Sequence, residues 1–357
     1  MYLKHINKKP KIYGWDIGGA HIKVCKLVEK HGSLIVQVIQ VRSSLWKGMK
    51  YLIESIEHIK KKFKIEKNDI HFFTMSGEMA DCFSDRKDGV IKITDVIGGI
   101  FETNISFYCQ KKKFLKKKFG KNWKSVASAN WHATANYVSS IKKNAIIVDI
   151  GSTTTDLIPI LNNRIVNKNA DDSSRLQSGE LVYLGVTRTS VSSINPQLLF
   201  KNKLHNVMRE SFCNTADVFR LTKDLKEKFD LYPTFDKKPK TLFATEQRIA
   251  RVIGMDRKNA TSNEWKKFAN NIKKRMIKEL VKNITKVEIK YDLDGKCPLV
   301  VAGCGSFLAY ELSKKMERDK IFFNELVSTE YTFSKSQKEN IDTCAPAVSL
   351  AILAKKK

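Results

Sequence analysis

An apolar strand closing in Asp-Ile-Gly and a small residue occurs twice in this chain. The first copy runs from Ile12 through Asp16 to Gly18-Gly19, and the second from Asn144 through Asp149 to Gly151-Ser152. Each turn leads into another strand-like stretch, His21 to Val28 and Thr153 to Leu161. A third follows in each case, with alternating Ile35, Val38, Ile39 and Val41 in one and Arg164-Ile165-Val166 in the other. Alternation and β-branched content mark these as strands. A repeated strand-turn-strand unit points to an internal duplication, and such repeats are sought before a fold is assigned.

Three glycine turns carry chemistry. At Gly18 and Gly19 the backbone can approach an anion and aim N–H groups at it, with Asp16 placed for Mg²⁺ and Lys23 for phosphate. The alternatives are a plain hairpin, and a solvent-facing strand position for Lys23. The run Asp149-Ile150-Gly151-Ser152-Thr153-Thr154-Thr155-Asp156 sets two carboxylates, a turn and four consecutive hydroxyls in eight residues. Turn amides with Ser152, Thr153 and Thr154 suit a phosphate, and Asp149 and Asp156 suit a metal. The alternative is a Thr-rich edge strand. A third turn, Gly303-Cys304-Gly305-Ser306, follows the apolar stretch Pro298 to Ala302 and precedes a helix over Phe307 to Lys315. That is an anion or nucleotide site by geometry, or simply close strand–helix packing.

Together the three resemble the phosphate-1, phosphate-2 and adenosine segments of the sugar-kinase/heat-shock-chaperone/actin superfamily. The fold expected is α/β, a two-lobed actin-like ATPase with duplicated phosphate-loop hairpins. The 357 residues suffice for two domains. The boundaries expected are 1–143 for an N-terminal lobe and 144–357 for a C-terminal lobe, with a Lys-rich insertion at about 201–240. Amphipathic spacing of Met49, Leu52, Ile53, Ile56, Ile59 and Phe63 predicts a helix over Lys47 to Phe63. A long helix over Asn263 to Lys286 and an apolar one over Ala345 to Ala354 complete the outline.

Composition excludes several classes. A hydrophobic fraction of 42% supports a core and argues against global disorder. No apolar run is long enough for a membrane span, and the N-terminus lacks the apolar region of a secretory signal, so a cytoplasmic protein is expected. The seven cysteines are scattered with no C-x-x-C pair, against a disulfide framework or a zinc site. A net charge of +28 would attract polyanions. However, the lysine runs at 60–62, 111–113 and 116–118 read as solvated faces, and no nucleic-acid module accompanies them. The sequence therefore argues against a nucleic-acid partner, and it leaves the oligomeric state open.

Five further blocks follow in order: Leu45-Trp46-Lys47-Gly48, Thr74 to Phe83 (TMSGEMADCF), Ala129 to Ala135 (ANWHATA), Asp149 to Asp156, and Gly179 to Val186 (GELVYLGV). They resemble the hydantoinase/oxoprolinase-related proteins of the tetrahydromethanopterin-linked one-carbon pathway, and the likeness covers about Ile12 to Val191. The 201–240 region matches nothing in that pattern. The resemblance implies a transferase of methanofuran or methylofuran biosynthesis. It would join an aminomethyl-furanmethanol diphosphate to the phenol oxygen of tyramine or glutamyltyramine, with release of diphosphate.

On that implication Asp16, Asp149 and Asp156 anchor Mg²⁺. Gly18, Gly19, Lys23, Gly151, Ser152, Thr153, Thr154, Arg188, Gly303 and Gly305 hold phosphate. Asn130, Trp131 and Glu180 meet the organic substrate. Because the phenol has a reference pKa of about 10, a base must take its proton, and Glu78, Asp81 and His132 stand unranked for that role. Each has a plainer alternative: a helix first turn for Glu78 and Asp81, a packed helix start for Trp131 and His132, a surface ion pair for Glu180 and Arg188. Three rival functions remain: an ATP-dependent kinase or acyl-activating enzyme of the same fold, a non-catalytic nucleotide-binding assembly protein, and an RNA binder. ATP binding is left open.

Overall fold

The computed structural model describes residues 9–111, 113–116, 119–168 and 170–357. Lys112, Lys117 and Lys118 of the predicted lysine runs lie outside the described residues. Two compact units are present. One comprises the described part of Met1–Ile141 together with Asn324–Lys357, and the other is Lys142–Phe323.

In the first unit β1 (Ile12–Ile17), β2 (His21–Lys30) and β3 (Ser33–Arg42) form an antiparallel meander. β4 (Ile70–Met75) and β5 (Ile105–Cys109) continue the sheet in parallel from β1, and β6 (Lys113–Leu115) closes its edge, giving the order β3-β2-β1-β4-β5-β6. Helices Met49–Phe63 and Arg86–Phe101 bury Leu52, Ile56, Ile59, Val90, Ile93 and Ile97 with Trp15, Phe73 and Phe107 of the sheet. Each such side chain contributes about 1.5–3 kcal/mol on burial. Ile53, counted in the predicted stripe, is instead 40% exposed, because the apolar arc is narrower than six residues. Lys61 and Lys62 lie exposed on that helix's last turn, as solvated faces should.

In the second unit β7 (Ala145–Ile150) pairs antiparallel with β8 (Thr155–Leu161), which pairs antiparallel with β9 (Arg164–Ile165) and β10 (Leu181–Val182). A hairpin, β11 (Gln197–Phe200) and β12 (Lys203–Asn206), stands apart from this sheet. β13 (Leu299–Ala302) and β14 (Lys320–Phe322) then run parallel to β7. The order β10-β8-β7-β13-β14 repeats β3-β2-β1-β4-β5 strand for strand, in direction as well as sequence. The duplication read from the two Asp-Ile-Gly turns is thus a duplication of whole sheets. The architecture is the actin-like ATPase fold of sugar kinases, heat-shock chaperones and actin.

The domain expectation needs one correction. Residues 324–357, assigned from sequence to the C-terminal lobe, belong to the first unit. The helix Ala345–Lys355 packs on β1, and a Cβ at Gly14 would sit 2.0 Å from the Ala347 carbonyl oxygen. Ala345, Ala347 and Ala351 are small enough to allow that approach, and every residue from Ala345 to Ile352 is buried. The sequence showed an apolar helix, but chain order gave no hint of which unit it returns to.

The 201–240 segment is not a polar appendage. It supplies β12, the helix Thr215–Thr222 and an ion-paired strap. This wraps a core of Leu198, Phe200, Val218, Ile249, Trp265 and Phe268 under the long helix Ser262–Tyr291. All seven cysteines are free thiols, six of them buried. No helix among the described residues is long and apolar enough to cross a membrane.

Candidate active site

In the second unit two other segments close on the turn after β7. The Gly151 amide donates to the Thr154 carbonyl at 2.8 Å, which tightens the turn. The segment after β10 lies directly upon it: Val186 N–H donates to Gly151 O, while Thr187 and Arg188 N–H donate to Ser152 O, at 3.0, 3.1 and 2.9 Å. A Cβ at Gly185 would lie 2.4 Å from the Thr153 nitrogen, so only glycine lets these backbones touch. From the second of these segments Gly305 N–H donates to Ile150 O at 2.8 Å. Gly303 has φ +85, and a Cβ there would lie 2.6 Å from an Asp149 carboxylate oxygen. Among the described residues the amides of Thr153 and Thr154 donate to no protein group. Ser152, Thr153 and Thr154 stay half-buried around them. Gly151, Ser152, Thr153, Thr154, Arg188, Gly303 and Gly305 are therefore gathered in one place.

Asp149 and Asp156 are cross-strand partners on β7 and β8, so their side chains leave the same face of the hairpin. Their surroundings differ. Asp156 accepts a bond from the buried Arg175 guanidinium at 2.8 Å, and Arg175 also donates to Glu180 O. Asp156 thus ties β8 to the helix Asp172–Ser178 through an ion pair. Asp149 is the half-buried carboxylate at the mouth of the turn. Among the described residues no group of three or more His, Cys, Asp or Glu gathers as a metal cage. Mg²⁺ held by one or two carboxylates plus phosphate oxygens needs none.

Glu180 is fully buried, not a surface residue. It accepts from Lys290 Nζ at 2.8 Å, Asn167 Nδ2 at 2.9 Å and Tyr291 OH at 2.5 Å. Burial works to raise its pKa, but those donors outweigh it and hold the carboxyl below its ordinary value. This network fastens β10 to the end of the long helix.

The first unit carries the companion loop. Gly18 N–H donates to His21 O at 3.0 Å, and Ser76 and Gly77 N–H both donate to Ile17 O at 3.0 Å. A Cβ at Gly77 would lie 3.0 Å from the Gly19 nitrogen. Gly77 N–H meets Ile17 O as Gly305 N–H meets Ile150 O, so Gly77 is the counterpart of Gly305, a correspondence that the matching strand order exposes. Asp16 is buried and paired with Lys23 Nζ at 3.4 Å, across the β1–β2 ladder where the second unit has Asp149 and Asp156. Lys23 is thus committed to a carboxylate and is not a solvent-facing strand residue.

The three base candidates sit in different surroundings. Glu78 Oε1 accepts from Ser128 Oγ at 2.7 Å and Arg86 Nη2 at 3.3 Å, with the carboxylate wholly buried. A Cβ at Gly89 would lie 2.2 Å from Glu78 O, so the helix Arg86–Phe101 rests on this residue. His132 Nδ1 bonds Tyr108 OH at 2.9 Å inside a cluster of Ala129, Ala133 and Leu350. Trp131 is 3% exposed and meets His132 edge to face. Those two are packed at the start of the helix Asn130–Ser139. Asp81 is exposed in the turn that precedes the helix, not in its first turn. Asn130 opens the helix Asn130–Ser139, half-buried.

Known proteins match this chain over most of its length. The hydantoinase/oxoprolinase family model matches residues 69–334. A Methanocaldococcus jannaschii protein is 28% identical over 350 residues, 98% of both chains. It is named (4-{4-[2-(gamma-L-glutamylamino)ethyl]phenoxymethyl}furan-2-yl)methanamine synthase. A Methanococcus vannielii protein of the same name is 30% identical over 222 residues, 62% of this chain and 96% of that one. Among solved structures, nucleotide-free acetone carboxylase superposes with a TM-score of 0.58 at 9% identity, covering 96% of this chain and 70% of that one, a likeness of fold.

Proposed function

This chain belongs to the hydantoinase/oxoprolinase family, and from that premise we propose that it is an ether-forming synthase of methanofuran-type cofactor biosynthesis. Its substrates are an aminomethyl-furanmethanol diphosphate and a tyramine-type phenol, with glutamyltyramine as the acceptor favoured by the relatives' names. The observation that carries the reading is the likeness to the Methanocaldococcus jannaschii synthase along 98% of the chain. The gathered turn at Asp149 supports the chemistry.

In the reaction, the bond between the furanylmethyl carbon and diphosphate oxygen breaks, and its electron pair leaves with diphosphate. The phenol oxygen bonds that carbon and gives up its proton. Furan spreads positive charge at the methylene, so the barrier lies largely in stabilising the departing diphosphate. Preorganised donors do this well because they need not reorient as charge grows. Here they are the Thr153 and Thr154 amides, the Ser152 and Thr153 hydroxyls and the Arg188 guanidinium. Asp149 would hold Mg²⁺, which neutralises diphosphate charge when bound. Its carboxylate, beside a glycine whose Cβ would collide with it, fits that donor role. The proton passes to a side-chain base, for which Glu78, Asp81 and His132 stay the candidates; among the described residues the second carboxylate oxygen of Glu78 is buried without a hydrogen-bond partner.

Calorimetric titration tests the binding half of this reading. Mg²⁺ with pyrophosphate should bind tightly and Mg²⁺ with ATP weakly, in one buffer. Strong ATP binding with little pyrophosphate binding would sink it in favour of a kinase-like enzyme.

A further inference from the structure

The turn at Asp149 has a second support that no sequence motif marks. Arg188 leaves the segment lying on Ser152, and its Nη1 reaches the Thr153 hydroxyl at 3.4 Å. The same guanidinium stacks over the Tyr232 ring, 5.4 Å from its centroid. Tyr232 comes from the irregular stretch between the helices Thr215–Thr222 and Leu242–Arg251. Such a stretch would ordinarily be too loose to orient a catalytic arginine.

It is clamped at both ends. Asp230 accepts from Arg220 Nη2 at 2.5 Å and pairs with Lys240 at 3.0 Å. Asp236 accepts from Arg248 Nη1 at 3.3 Å, and from the Lys238 amide and the Thr234 hydroxyl at 3.1 and 3.0 Å. Both arginines are anchored in turn by one buried carboxylate. Asp217 accepts from Arg220 Nη1 at 2.6 Å and from Arg248 Nε at 2.9 Å. Asp217 also completes a capping box with Asn214, which fixes its own position. Taking charges out of water is costly, so a buried Asp217–Arg220–Arg248 group pays its way only where it fixes a particular geometry. What it fixes is the short strap that carries Tyr232.

We propose that Tyr232 is a positioning residue for diphosphate binding: its ring holds the Arg188 guanidinium toward the Thr153 side of the turn. A planar cation lying on an aromatic face is oriented by that face, and its N–H donors lie at its edge, where phosphate oxygens are met. The strap is the part of 201–240 that reaches the site, and it does so through Arg188. This rests on the proposed role of the turn as a diphosphate cradle.

The test is Mg²⁺-pyrophosphate titration of the parent, Tyr232→Ala, Tyr232→Phe, Arg188→Ala and the Arg188→Ala/Tyr232→Ala pair. Circular dichroism on each checks that it is folded. Tyr232→Ala should weaken binding about threefold to thirtyfold, the range of a cation–π contact from exposed to desolvated. Tyr232→Phe should restore it, because the ring face and not the hydroxyl does the holding. With Arg188→Ala already present, Tyr232→Ala should add nothing, since the two act as one unit. A Tyr232→Ala variant that binds like the parent overturns the inference, and so does a loss that persists in full without Arg188. A parent that binds no Mg²⁺-pyrophosphate removes the cradle reading itself, and this inference with it.

Discussion

Asp149→Asn should leave the protein folded and weaken Mg²⁺-pyrophosphate binding by about 100-fold or more, roughly 3 kcal/mol. The substitution keeps size and shape but removes the charge that would face the metal. Asn retains a carbonyl oxygen, so the β7–β8 hairpin and its ladder are undisturbed. Asp156→Asn makes the internal control. It strips the buried Arg175 of its anionic partner, so it should lower the melting temperature more than it lowers affinity. Equal affinity for Asp149→Asn and parent in the titration would take the metal away from Asp149.

The second large effect is structural. Gly14→Ala should destabilise the first unit by about 3 kcal/mol, a fall of roughly 10 °C in melting temperature. The new methyl would have to occupy space 2.0 Å from Ala347 O and 2.8 Å from Ala351 N. Both are backbone atoms of a helix buried nearly all round, so neither can swing aside. Gly99→Ala gives the contrast, since a Cβ there meets nothing within 4 Å. In the helix Arg86–Phe101 that change should stabilise by about 0.5–1 kcal/mol by reducing the freedom of the unfolded chain. If Gly14→Ala melts with the parent, the close seat of the C-terminal helix on β1 is wrong.

Much of the fold was legible because strands and turns are local. The Asp-Ile-Gly turns marked the two β-hairpins within a residue or two, and the spacing of Leu52, Ile56 and Ile59 marked a helix. The return of Ala345–Lys355 to the first unit was not legible, since it depends on small residues meeting Gly14 across most of the chain length. Ser152, Thr153, Thr154, Gly303 and Gly305, which the structure gathers at one turn, could be singled out in the sequence because glycine and hydroxyl content is itself the signal. The buried partners of Asp156 and Glu180 were not legible, for one reason. A carboxylate in a motif looks alike whether it faces a ligand or a buried cation, and Arg175 and Lys290 lie in other segments. Tyr232 carried no signal at all. Its part comes from a ring placed under Arg188 by ion pairs 10 to 31 residues apart in sequence.

Turnover tests the central claim most directly. The purified protein, given Mg²⁺, the aminomethyl-furanmethanol diphosphate and γ-glutamyltyramine, should yield the phenoxymethyl-furan ether and pyrophosphate in equal amounts without ATP. Mass spectrometry follows the ether, and a coupled assay follows pyrophosphate. No ether from these substrates, or ether only with ATP consumed in step, would contradict the account.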